Sequence, residues 1–181
     1  MFDERGIGNA LPLPAGPLRA PMPAQVPPRS LVLYSAGRAS TPWPGGRGRR
    51  RLAGVVELAA WQRGERATGE SLAALAARCT ASKVRPVAAA GIAVPQRFFD
   101  MLAAQGLAFD ALALPDHHDW ATLPWPPGTP LAIITEKDAV KLDPARVGAT
   151  AVWVATLDFV FEPDFEAALA AAWRATLAAP T

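Results

Sequence analysis

Both histidines of the chain sit side by side in Pro115-Asp116-His117-His118-Asp119, with a carboxylate on each flank. Imidazole titrates near neutrality, and a neighbouring carboxylate fixes its tautomer and raises its basicity, so the combination suits proton handling. The segment follows an apolar run, Leu107 to Leu114, that reads as a strand. In open α/β sheets, ligands bind beyond the carboxyl ends of the strands. The plainer reading is a surface loop in which Asp116 caps a turn and the histidines are solvated. A second cluster, Thr135-Glu136-Lys137-Asp138, has a similar placement, after the apolar run Leu131 to Ile134 and at the opening of a helix. Backbone N–H groups beside a lysine suit an anion there. A capped helix start, with acids near the positive end of its dipole, accounts for the same residues.

Several other chemistries fail on composition or spacing. A phosphate-binding P-loop requires Gly-Lys-Ser or Gly-Lys-Thr, and the three lysines of the chain follow Ser82, Glu136 and Val140. Gly6-Ile7-Gly8-Asn9 and Gly16-Pro17-Leu18-Arg19 are too short to be nucleotide fingerprints. The Asp-His-His triplet resembles that of metal-dependent phosphoesterases, whose paired ions need several further Asp and His ligands. There is no third histidine to supply them, and no residue is assigned to a metal. Cys79 stands alone, which excludes an intramolecular disulfide and a thiolate zinc cluster and fits a reducing compartment. A net charge of +2 gives no nucleic-acid signature even with a pI near 9.1. The one dense basic patch, Arg47 with Arg49 to Arg51, reads as a solvated loop, with anionic lipid headgroups as the alternative. Trp43, Trp120 and Trp125 read as packing under Pro-rich loops, with a membrane interface as the alternative.

The elements that would position these clusters alternate along the chain. Met1 to Pro28, rich in Pro and Gly, reads as an ordered loop or extended segment, and Leu31 to Tyr34 as a short buried strand. Ser40 to Gly48 reads as a loop, Leu52 to Trp61 as a strand and Gln62 to Gly69 as a hairpin or linker. Ser71 is the expected N-cap of a short helix over Leu72 to Ala77. Val84 to Ile92 reads as a strand, Pro95 as the first position of a helix running to Gln105, and Gly106 as its C′ residue. Thr135 is the expected cap of the helix starting at Glu136. Val152 to Phe161 reads as a strand, and Pro163 opens a helix with Phe165, Leu169, Trp173 and Leu177 at intervals of four. Strands and helices joined by short links imply an α/β fold with a mainly parallel sheet flanked by helices. The first residues, Met1-Phe2-Asp3-Glu4-Arg5, carry charges where a signal peptide needs an apolar core. No stretch approaches the length of about 20 apolar residues of a spanning helix, so the expectation is a soluble or surface-bound chain.

In order and spacing, the motifs resemble one family. Asp3-Glu4-Arg5-Gly6-Ile7-Gly8-Asn9, Leu13-Pro14-Ala15-Gly16-Pro17-Leu18-Arg19, Ala90-Gly91-Ile92 with Pro95-Gln96-Arg97-Phe98-Phe99, Pro115-Asp116-His117-His118, and Thr135-Glu136-Lys137-Asp138-Ala139-Val140-Lys141 resemble successive blocks of tetraacyldisaccharide 4'-kinases. The resemblance covers nearly the whole chain, with Ser40 to Thr80 weakly determined. It implies a part in ATP- and Mg²⁺-dependent phosphorylation of the 4'-hydroxyl of a tetraacylated glucosamine disaccharide. In Gram-negative bacteria this step of lipid A and lipopolysaccharide biosynthesis takes place on the cytoplasmic face of the inner membrane. It further implies a remnant of a P-loop kinase domain over 1–50, a hinge over 51–70 and a Rossmann-like C-terminal domain over 71–181. Asp116 and His117 match the family's functional Asp-His pair, in which the histidine assists an aspartate base of the P-loop domain. Arg19 matches an arginine at the nucleotide side of the cleft, and Ala20 stands where the family commonly has Glu. The implied partners are the lipid disaccharide, the membrane surface and the N-terminal P-loop domain, without nucleic acid. The expectation is therefore a C-terminal kinase part with no activity by itself. The alternative is a non-catalytic Rossmann-like module that binds a lipid A precursor or a protein partner.

Overall fold

A computed structural model describes residues 1–66 and 72–178. The Ser71 cap and the linker residues 67–70 lie outside the described residues. Six strands form one mixed sheet in the order β1-β2-β6-β5-β3-β4. In chain order they are β1 (Leu33–Tyr34), β2 (Gly46–Glu57), β3 (Val87–Ala90), β4 (Asp110–Ala113), β5 (Leu131–Thr135) and β6 (Ala151–Phe161). The helices are α1 (Leu58–Gln62), α2 (Leu72–Ser82), α3 (Pro95–Ala103), α4 (Glu136–Ala139) and α5 (Pro163–Ala178). The pairs β1/β2, β3/β4, β3/β5 and β5/β6 are parallel. Between β2 and β6, Arg47 meets Glu162 and Arg51 meets Asp158, so these two strands run in opposite directions. The chain forms two compact units, Met1–Arg50 with Phe159–Thr181, and Arg51–Asp158.

The second unit holds both sequence clusters. Its central strands β3 and β5 are buried on both faces, which is why they read as continuous apolar runs with little alternation. On one face Ala88, Ala90, Leu131, Ile133 and Ala155 pack with Leu72, Leu75 and Cys79 of α2 and Phe98, Phe99 and Leu102 of α3. On the other, Ala89, Ala132, Ile134, Val152 and Val154 pack with Leu58, Ala139, Leu142 and the rings of Trp120 and Trp125. Pro95 occupies the first turn of α3, and that helix ends at Ala103 with its C-cap at Ala104, so Gly106, at φ +77, lies one position beyond C′ and not at C′ as expected.

In the first unit the Pro- and Gly-rich opening is ordered by turns. Phe2 bridges Tyr34 in parallel and lies against the rings of Tyr34 and Trp43. Asn9 joins the two opening blocks by donating to Ala15 O and accepting from Leu11 N. Gly16 faces this knot so closely that a Cβ would fall 2.3 Å from Leu11 O.

Two expectations are corrected. The strand expected at Leu52 begins at Gly46, inside the expected loop, and ends at Glu57, where α1 starts. A Cβ at Gly46 or Gly48 would overlap the Phe165 or Phe159 ring, so the glycines make room for aromatic cover. The basic patch thus lies on a strand, with Arg47 held by Glu162 and Arg51 by Asp158. Of the four apolar residues spaced along α5, Phe165 is buried, whereas Leu169, Trp173 and Leu177 are exposed.

Candidate functional site

Pro115 to His118 form a tight turn directly beyond β4, closed by His118 N donating to Pro115 O at 3.1 Å. His117 occupies the third position at φ +62, the pattern of a type II turn that ordinarily takes glycine or asparagine. Its side chain is 77% exposed, and Nε2 lies 3.7 Å from Asp116 Oδ2, beyond hydrogen-bond reach. Asp116 Oδ1 accepts from the His117 amide at 3.0 Å and from Lys137 Nζ at 2.9 Å. The hydrogen bond from Lys137, aided by the nearby charges of Lys137 and His117, holds the Asp116 carboxyl below the usual range. The turn therefore presents an imidazole to solvent beside a carboxylate committed to its charged form.

The segment that follows β5 braces this turn. Thr135 Oγ1 accepts from Asp138 N and so caps α4, as its sequence position requires. Each polar residue after it has a separate task. Glu136 accepts from Trp61 Nε1 and from Leu157 N. Lys137 reaches Asp116, and Lys141, one helical turn on, donates to His118 O at 2.9 Å. Asp138 is fully buried and accepts from Trp120 Nε1, Gly91 N and Thr135 Oγ1. Arg146 Nη2 donates to Ala121 O. Residues 116, 118, 120 and 121 are thus each held by a side chain from 137–146.

Sequence reasoning picked out Asp116 and His117 and the block from Thr135 to Asp138, but not the links between them. The available signal was the scarcity of lysine: two of the three lie four apart at a single short helix, where they share one face. Trp120, read as packing under a loop, is buried at φ +58 against the His118 and Trp125 rings. Trp125 is also buried, and Trp43 is half-buried with its indole donating to Pro23 O. Arg19 is exposed in a bend of the first compact unit, just after the Pro12–Leu18 bridge, while Asp116 and His117 belong to the second. Among the described residues, no three His, Cys, Asp or Glu side chains gather to hold a metal ion. Nor is any helix there long and apolar enough to cross a membrane.

The Lys137 contact makes a prediction about pH. Lys137→Met removes the principal cause of the lowered Asp116 value, so Asp116 is expected to protonate at higher pH than in the parent chain. A ¹³C NMR titration of its carboxyl carbon checks this. A carboxyl depressed in the folded state adds stability above its unfolded value and loses it as pH falls through the folded value. Because the pair is exposed, the accompanying change in global stability is expected to be small.

Comparison with known proteins places this arrangement in a family context. The family model described as tetraacyldisaccharide-1-P 4'-kinase matches residues 1–174. A tetraacyldisaccharide 4'-kinase of Methylibium petroleiphilum is 52% identical over 175 residues, covering 93% of this chain and 47% of the relative. One from Leptothrix cholodnii is 50% identical over 177 residues, covering 95% of this chain and 49% of the relative. This chain thus spans about half the length of these curated relatives and matches their C-terminal portion. The crystal structure of LpxK from Aquifex aeolicus in complex with ATP is similar in fold. Its TM-score is 0.61 at 17% identity, covering 96% of this chain and 50% of that one. With a family match across nearly its whole length and relatives at half identity, the chain belongs to the tetraacyldisaccharide-1-P 4'-kinase family.

Proposed function

We propose that this chain is the C-terminal part of a lipid A 4'-kinase and supplies Asp116 and His117 to phosphorylation of the 4'-hydroxyl of tetraacyldisaccharide 1-phosphate. The observation that carries the proposal is the turn beyond β4. There an imidazole is held outward on a left-handed residue, beside a carboxylate fixed by Lys137. Phosphoryl transfer depends mainly on positioning and charge stabilisation, and the attacking hydroxyl must lose its proton to a placed base. An exposed imidazole beside a fixed carboxylate suits holding and tuning such a base, here an aspartate of the P-loop domain.

ATP, bound with Mg²⁺, would supply the phosphoryl group in that reaction. The described residues of this chain do not fit a site for either, because they gather no carboxylate cluster and the sequence has no Gly-Lys-Ser or Gly-Lys-Thr. We assign both to the P-loop domain, with Arg19 approaching the nucleotide and Ala20 contributing no charge. In this reading residues 1–50 complete the P-loop domain, 51–70 adjoin a hinge and the Rossmann-like lid lies within 71–181, its last part, from Phe159, grouping with the first compact unit. The boundaries of the compact units at Arg50–Arg51 and Asp158–Phe159 lie inside β2 and β6, which supports a hinge of two antiparallel strands. Exposure of Leu169, Trp173 and Leu177 on α5 supports a further protein surface that covers them. The proposed place of work is the cytoplasmic face of the inner membrane, in peripheral contact with the lipid.

A chimera tests the proposal. The first half of the Methylibium petroleiphilum relative, followed by this chain, is expected to phosphorylate tetraacyldisaccharide 1-phosphate with ATP, whereas this chain alone is not. A folded but inactive chimera, beside an active parent assayed in parallel, contradicts the reading. If that chimera still binds the lipid, a non-catalytic binding module takes its place.

A further inference from the structure

We infer that Asp138 is the positioning residue of this site: its buried carboxyl group holds residues 115–120 in the form that turns His117 outward. The inference rests on the reading of Asp116 and His117 given above, but its geometry stands apart from it. Asp138 is fully buried, where an acidic side chain is unfavourable unless every oxygen is satisfied. Three donors from three different elements meet it. Gly91 N, just beyond β3, donates to Oδ2 at 3.1 Å, and Thr135 Oγ1, at the end of β5, donates to the same atom at 2.7 Å. Trp120 Nε1, at the far end of the turn segment, donates to Oδ1 at 3.1 Å. Capping α4 does not require this carboxyl, because Thr135 already does so. What Asp138 adds is a tie between two strand ends and the turn segment that follows a third.

That tie matters because the segment is strained. His117 and Trp120 both have positive φ, at +62 and +58, a region that bulky residues adopt only when their surroundings over-determine it. Trp120 is anchored by its indole at Asp138 and by its ring against Trp125. His118 lies between the two strained residues, with its ring on the Trp120 edge and its carbonyl held by Lys141. Gly91 leaves room for this packing: a Cβ there would sit 2.9 Å from Asp138 Oδ1 and 3.2 Å from the His118 Cβ. With Asp138 bound, relaxation of Trp120 is blocked, and the chain reaches His117 only in the left-handed form.

Asp138→Asn tests this, since it keeps the size and one acceptor oxygen but replaces the other with a donor. In the full 181-residue chain, the expected result is at least about a tenfold loss of hydrogen-exchange protection at Gly91 N–H or Trp120 Nε1–H. Backbone chemical shifts of His117 and Trp120 are expected to lose their left-handed signature. In the chimeric kinase, kcat is expected to fall by about 100-fold while KM for ATP stays within about twofold, the pattern of a misplaced group. Adding His117→Ala is then expected to cost little more, because both changes remove the same placement. Unmoved His117 and Trp120 shifts with unchanged kcat overturn the inference, even if the variant melts at lower temperature. Should Asp138→Asn not fold, Trp120→Phe removes a single donor to Asp138, and unmoved His117 shifts in that variant overturn the inference equally. If the parent chimera is inactive, the kinase reading fails, and the NMR comparison still judges Asp138.

Discussion

Replacing His117 with glycine in the chimeric kinase is expected to lower kcat by about 10²- to 10⁴-fold, the range for loss of a proton-handling group, while the isolated chain folds as well as before. Two features separate these effects. The His117 side chain is largely exposed, and its Nε2 lies 3.7 Å from the Asp116 carboxylate. The amide that Asp116 accepts from belongs to the backbone and survives the change. The residue also sits at φ +62, where glycine carries no Cβ penalty, though it orders more entropy on folding. These terms oppose each other, so stability is expected to change by less than about 1 kcal/mol. Urea denaturation of the chain and steady-state kinetics of the chimera measure the two sides. Activity within tenfold of the parent removes His117 from the reaction.

Trp120→Ala is expected to show a large loss of stability, because the Trp120 side chain is buried. Trp120 is among the largest fully buried side chains, in edge contact with the His118 and Trp125 rings. Truncating a buried tryptophan costs about 3–5 kcal/mol through lost burial and the cavity left behind. The change also strips the Trp120 Nε1 donor from Asp138 Oδ1. Trp120→Phe keeps most of the ring and loses that donor, so it isolates the polar part, worth about 1–3 kcal/mol. Urea unfolding followed by far-UV circular dichroism should rank parent, Phe and Ala in that order. If Phe and Ala lie together near the parent, the turn is not held from this side.

The local elements were legible because their causes are local. Pro95 opens α3, Thr135 caps α4, Pro163 opens α5, and the continuous apolar runs at Leu131 and Val152 are strands covered on both faces. A cap, a fixed proline φ or a run of branched residues acts over three or four positions, and sequence displays those directly. The candidate pair Asp116 and His117 was legible for the same reason, as adjacent residue types at the end of an expected strand.

What the sequence by itself determined, then, was the order of elements, the family and a set of candidate residues. Tertiary structure decided their partners. Gly46 to Arg51 form a strand because Phe159 and Phe165 cover the glycines and Glu162 and Asp158 meet the arginines, more than 100 residues away in the chain. Asp138 looked like an acid at a helix start, yet Gly91, 47 residues away, and Trp120, 18 away, make it a buried acceptor. The φ of His117 depends on the residues that pin the turn on either side, Lys137, Lys141 and Asp138 among them. Capping and burial are written in residue type, but a hydrogen bond between distant segments exists only once the sheet has brought their ends together.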